Sequence, residues 1–449
     1  MKLSIPLMLS AALLTGCAAT AYRTPQVPMP QSFAHAGEGT DAARSPDPQI
    51  SGPWWTAFGD PALDRLIDAV LAKNNDLAAA ALRVQQAQTQ AKLTRLDQFP
   101  SLSGGLGAST GGGTRYSANL SVSYEADLWG RLGAATRAAD WEAQATEQDR
   151  QAARLALIGS AAELYWRIGY AHQQIATAQQ SLDYARTVQR LVDVQHAAGS
   201  VSGVEVAEAD QSVKSQEASL SDLEQSLIED RAALTVLLGG EAWPQGDEPQ
   251  ALPDLPLPEA RAGVPAELLS RRPDLRAAEL RLREQLADVD IARTAFYPGL
   301  SLTGSGGASS SELGSLFSHP TGTLAAALSL PFLDYPRLKL SEKATRQSYD
   351  IAALTFKTTL LQALADTDNA LSSRTQLAAQ GRSLAASLRD AERAERLYAI
   401  QYRTGSVALR VWLDAQQSAR SARLSYDNNR LQQLINQSVL YQALGGDDR

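Results

Sequence analysis

The chain has 449 residues, a formal net charge of −8 at pH 7, a single cysteine and four histidines. The negative charge argues against a nucleic-acid partner, and one cysteine excludes a disulfide bond within the chain. The histidines are too far apart to share a metal ion, and the sequence contains no nucleophile elbow, phosphate loop or pair of catalytic carboxylates, so we expect no metal site, no cofactor and no enzyme activity.

The chain begins with the features of a lipoprotein signal peptide, residues 1–16. A basic residue precedes an apolar run over residues 3–14, which is too short to span a membrane, and residues 14–17, Leu-Thr-Gly-Cys, form a lipobox. Cleavage would make Cys17 the first mature residue and the site of a covalent lipid. An ordinary secretory signal with a chance cysteine is the alternative. Residues 17–53 are rich in Pro, Gly, Ser and Ala, which predicts a lipidated, extended N-terminal tether.

The rest of the chain is a divergent duplication. Residues 76–103 recur as residues 274–301, and residues 198–201 match residues 404–407 at an offset that is eight residues larger. The second copy therefore contains a longer loop between Pro298 and Tyr335. Two copies of one unit indicate a structure built from quasi-symmetric halves. The predicted segments are a first repeat (54–240), a Pro-rich linker that forms a belt outside the helices (241–263) and a second repeat (264–449).

Each repeat contains one very long helical segment. Residues 131–198 and 337–404 contain no proline, which predicts helices on the order of 100 Å long. Each ends at a glycine, Gly199 or Gly405, where a left-handed residue can close the helix and the chain can turn back. Apolar residues recur at spacings of three, four and seven along these segments, the pattern of a coiled-coil seam. The predicted helical hairpins are residues 131–238 and 337–443.

Between the helices the apolar period changes from about 3.5 to 2. Leu120, Val122 and Tyr124 alternate with polar residues, which predicts a membrane-spanning strand with one face toward lipid and one toward water. A partner strand follows Pro100, and the second repeat contains an equivalent pair that ends at Phe332. A soluble hairpin packed on helices is the alternative. The four predicted strands lie within residues of about 100–129 and 298–333.

Aromatic residues at the ends of these strands are placed as in the girdle of a membrane β-barrel; they are Phe99, Trp129, Tyr297 and Tyr335. An open sheet of four strands cannot span lipid, because every backbone donor and acceptor there needs a partner. Two chains would supply eight strands, which enclose a barrel filled by side chains, and three would supply twelve, which leave a lumen. A conduit therefore needs at least three chains.

The motifs of the chain resemble the TolC-type outer-membrane efflux proteins, in the lipoprotein branch similar to OprM and NodT. The resemblance covers nearly the whole mature chain. Besides the lipobox, its motifs are Arg272-Pro273-Asp274-Leu275-Arg276-Ala277-Ala278-Glu279, Tyr124-Glu125-Ala126-Asp127-Leu128-Trp129-Gly130-Arg131, Tyr402-Arg403-Thr404-Gly405, Leu413-Asp414-Ala415-Gln416 and Leu444-Gly445-Gly446.

This resemblance implies a mixed α and β membrane protein: a homotrimer with a 12-stranded outer-membrane β-barrel, four strands per chain, continued by a periplasmic α-helical barrel. It also implies a passive outer-membrane conduit in a Gram-negative bacterium. Its partners would be a periplasmic membrane-fusion adaptor and an inner-membrane pump, usually of the resistance-nodulation-division class. Ala18 after the lipidated cysteine implies sorting to the outer membrane by resemblance to bacterial lipoproteins.

The resemblance also implies a periplasmic gate at the hairpin ends. Asp414 matches the position of an acidic ring that narrows the tunnel, with Tyr402 and Arg403 as expected latch partners. Arg410, four residues before Asp414, departs from the apolar residue that is frequent there, and the two could form only a surface ion pair. The residues expected to contact the adaptor are Gly199, Ser200 and Val201 at one tip and Gly405, Ser406 and Val407 at the other.

Two other functions are compatible with the sequence. The chain could be the exit duct of a type I protein secretion system, which has the same architecture but a different cargo. It could also be an envelope lipoprotein whose coiled coil bridges the two membranes without a pore. The lipobox and the OprM-like motifs favour export of drugs or other small molecules.

Overall fold

The computed structural model describes residues 20–35, 53–259 and 263–446. They form two compact units: one contains Ala80–Arg150 and Pro273–Leu361 with the N-terminal segment up to Pro28, and the other contains Met29–Ala79, Gln151–Arg272 and Gln362–Arg449. The helices are α1 (Pro61–Lys73), α2 (Asn75–Leu96), α3 (Arg131–Ala197), α4 (Gly203–Leu237), α5 (Leu268–Arg271), α6 (Pro273–Thr294), α7 (Tyr335–Arg403) and α8 (Leu409–Ala443). The strands are β1 (Ser101–Ser109), β2 (Arg115–Ala126), β3 (Gly299–Ser310) and β4 (Thr321–Ser329).

The helices of the two repeats correspond closely in length. Helices α2 and α6 have 22 residues each, and α4 and α8 have 35 each. The difference between the repeats lies in the strands, because β3 is longer than β1 and its connection to β4, residues 311–320, is longer than the β1–β2 connection. This connection folds on itself: the hydroxyls of Ser310 and Ser315 lie 2.6 Å apart, and Leu316 is buried.

The four strands form one antiparallel sheet in the order β1-β2-β3-β4. The central pair, β2 and β3, joins the two repeats, with Leu120 opposite Gly306. Strand β4 ends at Ser329, earlier than the predicted end at Phe332, because Pro331 cannot donate a ladder hydrogen bond and instead begins a short 3-10 turn.

Strand β2 also ends before the last residues of its predicted alternation. Asp127 falls within the predicted strand range of about 100–129, but it lies beyond the observed strand and caps α3. Its carboxylate accepts hydrogen bonds from the backbone N–H groups of Leu132 at 3.1 Å and Gly133 at 2.8 Å. Gly130 has φ 75°, which allows the chain to turn from the strand into the helix. The residues between β2 and α3 therefore form a tight turn that also caps the N-terminus of α3.

An aromatic core packs the residues just before α1 against the long helices of the second compact unit. Trp54 is fully buried and stacks on Tyr441 of α8 with ring centroids 5.1 Å apart, while Phe58 packs on Trp166 of α3 at 5.0 Å. Large buried rings contribute strongly to stability because they remove much apolar area from water. The segment before α1 is thereby packed against a helix of each hairpin.

The two hairpins pack by different means. On α3 more than half of the seam residues are buried, including Ala161, Ile168 and Leu182. On α7 the seam is only partly buried in a single chain, and α8 instead donates from side-chain amides, as from Asn429 Nδ2 to the carbonyl oxygen of Leu377 at 3.2 Å. The second hairpin therefore has a more polar seam than the first.

The part of the Pro-rich linker that the structure describes, residues 241–259 and 263, contains no α-helix, and the buried Glu248 attaches it to the first hairpin. Its carboxylate accepts hydrogen bonds from Arg231 Nε at 2.9 Å and Nη2 at 2.6 Å, and it lies 2.8 Å from His172 Nε2. Burial raises the pKa of this carboxyl, but the hydrogen bonds from Arg231 and His172 outweigh burial and hold the pKa below its ordinary value. Farther along, Arg430 of α8 donates to the carbonyl oxygen of Pro253 at 2.8 Å.

Candidate functional site: the hairpin tips and the sheet

Both hairpins turn at the predicted glycines. Gly199 has φ 74° and Gly405 has φ 75°, a left-handed conformation that residues with a Cβ adopt at a cost. The N–H of Ser200 donates to the carbonyl oxygen of Gln195 at 2.9 Å, and the N–H of Ser406 donates to that of Gln401 at 2.8 Å. These bonds close each helix in a Schellman motif. We call residues 199–201 the first tip and residues 405–407 the second tip.

The helices that leave the two tips begin differently. Helix α4 begins with a complete capping box, in which the side chain of Ser202 accepts from the backbone and the side chain of Glu205 reaches back. Helix α8 begins after Ala408, which offers no side-chain cap. The glycine and serine of each tip are exposed, and Val201 and Val407 are partly buried. Contact between these residues and an adaptor stays a prediction.

A cluster just behind the tips joins the two hairpins. Trp412 of α8 is 2% exposed, stacks on Tyr402 with ring centroids 5.1 Å apart, and meets the edge of Tyr184 at 5.6 Å. Its indole N–H donates to Glu395 Oε1 at 3.1 Å. Since these residues come from α3, α7 and α8, the cluster couples the first hairpin to the second. We call Trp412, Tyr402, Tyr184 and Glu395 the tip clasp.

The four predicted gate residues are only partly brought together. Arg410 Nε lies 4.0 Å from Asp414 Oδ2, and the two side chains are 76% and 75% exposed. The hydroxyl of Tyr402 donates instead to Gln195 Oε1 at 3.1 Å, and Arg403 interacts electrostatically with Tyr184 of α3. Within one chain Tyr402 therefore binds α3, Arg403 lies near it, and the ion pair of Asp414 is with Arg410.

The sheet separates its side chains by chemistry. One cross-strand row consists of Leu102, Val122, Gly304 and Leu324, and the adjacent row consists of Ser103, Ser121, Ser305 and Thr323. Neighbouring residues of a strand point to opposite faces, so one face of the sheet is apolar and the other is rich in hydroxyl groups. The outer strands β1 and β4 each pair on one side only among the described residues.

The aromatic residues at the base of the sheet are interlocked across the repeats. Trp129 stacks on Tyr297 with ring centroids 4.8 Å apart, and its indole N–H donates to the carbonyl oxygen of Pro298 at 2.8 Å. Phe296 meets Tyr335 edge to face at 5.9 Å. The strand that leaves one repeat and the strand that enters the other are thus held together where each meets its helix.

Several residues that organise these regions were missed from the sequence. Trp412 is a rare bulky residue in a helix rich in Ala, Gln and Arg, which is a signal that could have pointed to it. Glu248 carried no signal, since one acidic residue in a Pro-rich linker is ordinarily exposed. Cys17, the predicted lipidation site, lies outside the described residues.

None of the helices among the described residues combines the length and the apolar character needed to cross a membrane. No group of three or more His, Cys, Asp or Glu side chains in these parts of the chain is arranged to hold a metal ion.

Comparison with known proteins identifies relatives over the whole length of the body. The family model described as outer membrane efflux protein matches residues 66–240 and 264–446. The pyoverdine export outer membrane protein OpmQ of Pseudomonas aeruginosa is 35% identical, over 88% of this chain and 87% of its own. The toluene efflux pump outer membrane protein TtgC of Pseudomonas putida is 31% identical, over 99% of this chain and 96% of its own.

Solved structures show the same fold. The open state of the MtrE outer membrane channel of Neisseria gonorrhoeae superposes with a TM-score of 0.82 at 28% identity, over 96% of this chain and 99% of that one. CusC superposes with a TM-score of 0.83 at 26% identity, over 95% and 99%. Both structures are described as channels, which favours the channel over the envelope-bridging alternative.

These comparisons confirm the predicted fold class, the predicted outer-membrane location and the predicted role in efflux. The family is one of structural channels that act within efflux pumps. Membership in it supports the predicted partners, which are further copies of the chain, a periplasmic adaptor and an inner-membrane pump. The chain therefore belongs to the outer membrane efflux protein family and is the outer-membrane channel component of an efflux system in a Gram-negative bacterium.

Proposed function

We propose that three copies of this chain form a passive duct that carries small molecules across the outer membrane, fed through an adaptor by a pump of the resistance-nodulation-division class. The observation that carries the proposal is the sheet: four strands with one apolar face, one hydroxyl-rich face and two outer edges without a strand partner among the described residues. An apolar face suits lipid, and a hydroxyl-rich face suits a water-filled lumen.

The unpaired edges support closure by copies of the same chain. In lipid each backbone group of β1 and β4 needs a partner, and pairing β4 of one copy with β1 of the next satisfies both edges. Three copies give twelve strands, which leaves a lumen. The flanking helices fit this arrangement, because α2, which leads into β1, exposes Leu93 and Leu96, and α7, which follows β4, exposes Leu340 and Leu354.

The cargo is proposed from the relatives. Their names describe export of pyoverdine for OpmQ, efflux of toluene for TtgC and efflux of cations for CusC. These cargoes are chemically unlike one another but all small, which fits a wide polar duct that accepts whatever its pump delivers. We therefore expect small molecules rather than folded proteins as the cargo of this chain.

We infer that Cys17 carries the lipid. The support is the lipobox at residues 14–17 together with the absence of any other cysteine in the chain. Intact-mass measurement of the mature protein should give a chain that begins at residue 17 and carries three acyl groups. An unmodified Cys17, or cleavage at another position, would refute the assignment.

We also infer that Asp414 narrows the periplasmic end. In a trimer whose tips converge, three Asp414 carboxylates would lie around one axis, and each would depend on a nearby cation. Arg410 is a cation within reach in the same chain, although a pair this exposed contributes only about 0.5 kcal/mol or less. The competing interpretation is a solvated helix face with no role in gating.

Replacing Asp414 by Ala tests the gate. We expect higher single-channel conductance and greater entry of vancomycin, while Asp193→Ala, a change to an exposed carboxylate near the other tip, should alter neither. Arg410→Ala should change cation selectivity most at low salt, where screening is weakest. An intact Asp414→Ala trimer with unchanged conductance and unchanged antibiotic entry would place the gate elsewhere.

The duct itself is tested by reconstitution of the purified protein in planar bilayers. A channel gives discrete conductance steps, and cells lacking the gene should retain small-molecule substrates of the paired pump. Absence of conductance from a folded, lipid-inserted trimer would contradict the proposal. Secretion of a protein substrate that is lost on deletion would instead favour type I secretion.

A further inference from the structure

A segment close to the N-terminus docks on the helices that adjoin the sheet. Residues 20–30 form neither helix nor strand, yet Thr20 is bound to Asp290 of α6. The N–H of Thr20 donates to Asp290 Oδ2 at 3.1 Å, and its hydroxyl donates to Oδ1 at 2.6 Å. The predicted tether is therefore held to the protein at this point rather than free.

The carboxylate that receives Thr20 is itself buried and compensated. The side chain of Asp290 is 6% exposed and lies 3.2 Å from Arg293 and 3.9 Å from Arg137. Arg293 also donates to the hydroxyl of Thr20 at 3.3 Å, so that hydroxyl accepts one hydrogen bond and donates another. Among small side chains only those of Ser and Thr donate and accept strong hydrogen bonds through one and the same atom, which makes the contact specific for a hydroxyl residue.

The second anchor is Tyr22. The guanidinium of Arg283 lies 4.7 Å above the ring of Tyr22 and 5.4 Å from the ring of Trp141, and Arg283 is also hydrogen-bonded to Glu279 at 2.7 Å. A cation between two aromatic rings is stabilised by both. In an extended chain the side chains of residues 20 and 22 point to the same side. Both therefore face α6, where Thr20 contacts Asp290 and Tyr22 contacts Arg283.

The position of this site is close to where the chain enters and leaves the sheet. Asp290 lies four residues before the end of α6, which leads into β3, and Arg137 and Trp141 lie in the first three turns of α3, which follows β2. Thr20 lies three positions after Cys17, and a chain of that length reaches at most about 10 Å. A lipid on Cys17 is therefore confined to the neighbourhood of this site.

We propose that Asp290, Arg293, Arg283 and Trp141 form a docking site for Thr20 and Tyr22 that fixes the acylated N-terminus beside the foot of the sheet and so couples the lipid to membrane assembly of the strands. The proposal rests on the proposed lipidation of Cys17. The alternative is an ordinary packing contact that stabilises α3 and α6 whether or not a lipid is attached.

The test changes the docked segment and leaves the helices intact. In Thr20→Val with Tyr22→Ala the chain loses the hydroxyl and the ring, while Thr20→Ser with Tyr22→Phe keeps both interactions. Gln26→Ala is the matched control, because Gln26 is an exposed residue of the same segment. Each variant is made in the acylated chain and in a chain secreted behind a cleavable signal in place of residues 1–17.

Two quantities are measured in each variant: maleimide labelling of a cysteine introduced at Val27, a partly buried position of the same segment, and the fraction of protein in assembled outer-membrane trimers. The acylated Cys17 thiol is blocked, so the introduced thiol alone reacts. In the acylated chain the Val/Ala variant should label about tenfold faster and assemble several-fold less, because charge-assisted hydrogen bonds are lost. The Ser/Phe variant and Gln26→Ala should behave like the parent.

The unacylated series decides between the proposal and the alternative. If the site acts through the lipid, the Val/Ala change should cause no further loss of assembly once the lipid is absent. An equal loss in both series would show a packing contact and overturn the proposal, as would unchanged assembly in the acylated series. Mass measurement of the parent separates these outcomes from a failure of lipidation, since an unmodified Cys17 would overturn the lipid assignment itself.

Discussion

Replacing Trp412 by Ala should release the tip clasp without unfolding the chain. Trp412 is 2% exposed and contacts Tyr402 of α7 and Tyr184 of α3, so its ring is a buried contact between the second hairpin and the first. The neighbouring apolar cluster contains Val188 and Val192 of α3. Loss of the ring would leave a cavity at a point where two long hairpins meet close to their exposed ends.

The size of the effect follows from the contacts. Truncation of a buried Trp to Ala costs about 3–5 kcal/mol, a range that includes burial and the residual cavity. Trp412→Phe keeps an aromatic ring against Tyr402 and loses the hydrogen bond to Glu395, which is partly exposed and can be hydrated, so we expect about 1–2 kcal/mol. The two variants should therefore differ by about 2–3 kcal/mol.

Hydrogen exchange measured by mass spectrometry checks this prediction. In Trp412→Ala the opening equilibrium for peptides over residues 184–192 and 409–416 should rise by roughly two to three orders of magnitude, since each tenfold change corresponds to about 1.4 kcal/mol. Peptides around Ala161, in the aromatic core region, serve as the internal control. A rise of less than tenfold near the tips, or an equal rise throughout the chain, would refute the assignment of a local clasp.

Three further predictions follow from other regions. Ser121→Cys should react faster than Leu120→Cys with a membrane-impermeant thiol reagent, because adjacent strand residues point to opposite faces of the sheet. Equal reaction rates would contradict a sheet with one face toward lipid. Burial, with help from neighbouring carboxylates, raises the pKa of Glu284 to about 7, so the folded protein loses stability as pH rises from about 4.5 to 7, and Glu284→Gln should raise the melting temperature at pH 8 but not at pH 4.5. Gly239→Ala should impair folding far more than Gly240→Ala. A Cβ at Gly239 would lie 2.5 Å from a carbonyl oxygen of α1, while a Cβ at Gly240 would meet nothing within 4 Å. Similar yields of folded trimer from the two variants would show that the positive φ of both glycines, and not this close approach, determines the loss of folding.

The sequence predicted those parts of the fold that local chemistry determines. Periodicity placed the long helices within one or two residues of their observed ends, since a left-handed glycine closes each of them. Strand ends were harder, because Asp127 continues an alternating pattern while acting as a helix cap, and Pro331 ends a strand that apolar spacing extends.

Contacts between distant segments were not predictable in this way. Thr20 and Asp290 are separated by 270 residues, and neither stands out in its own segment. The same holds for Glu248, whose partners lie on two helices. At the candidate gate, the family resemblance predicted Asp414 together with Tyr402 and Arg403. The fold shows that Tyr402 hydrogen-bonds α3 and that Arg403 interacts electrostatically with it.

The connectivity of the sheet has a consequence for the order in which the protein matures. Strand β2 pairs with β3 across the two repeats, with Ala126 opposite Leu300, so the central ladder cannot form until most of the chain has been exported. Contacts between such distant segments form slowly. In the interval β1 and β4 present bare edges, and their sequences, rich in Gly, Ser and Ala, have weak strand propensity and therefore pair poorly with stray chains. The small residues of these strands would thus delay edge pairing until the correct copies meet.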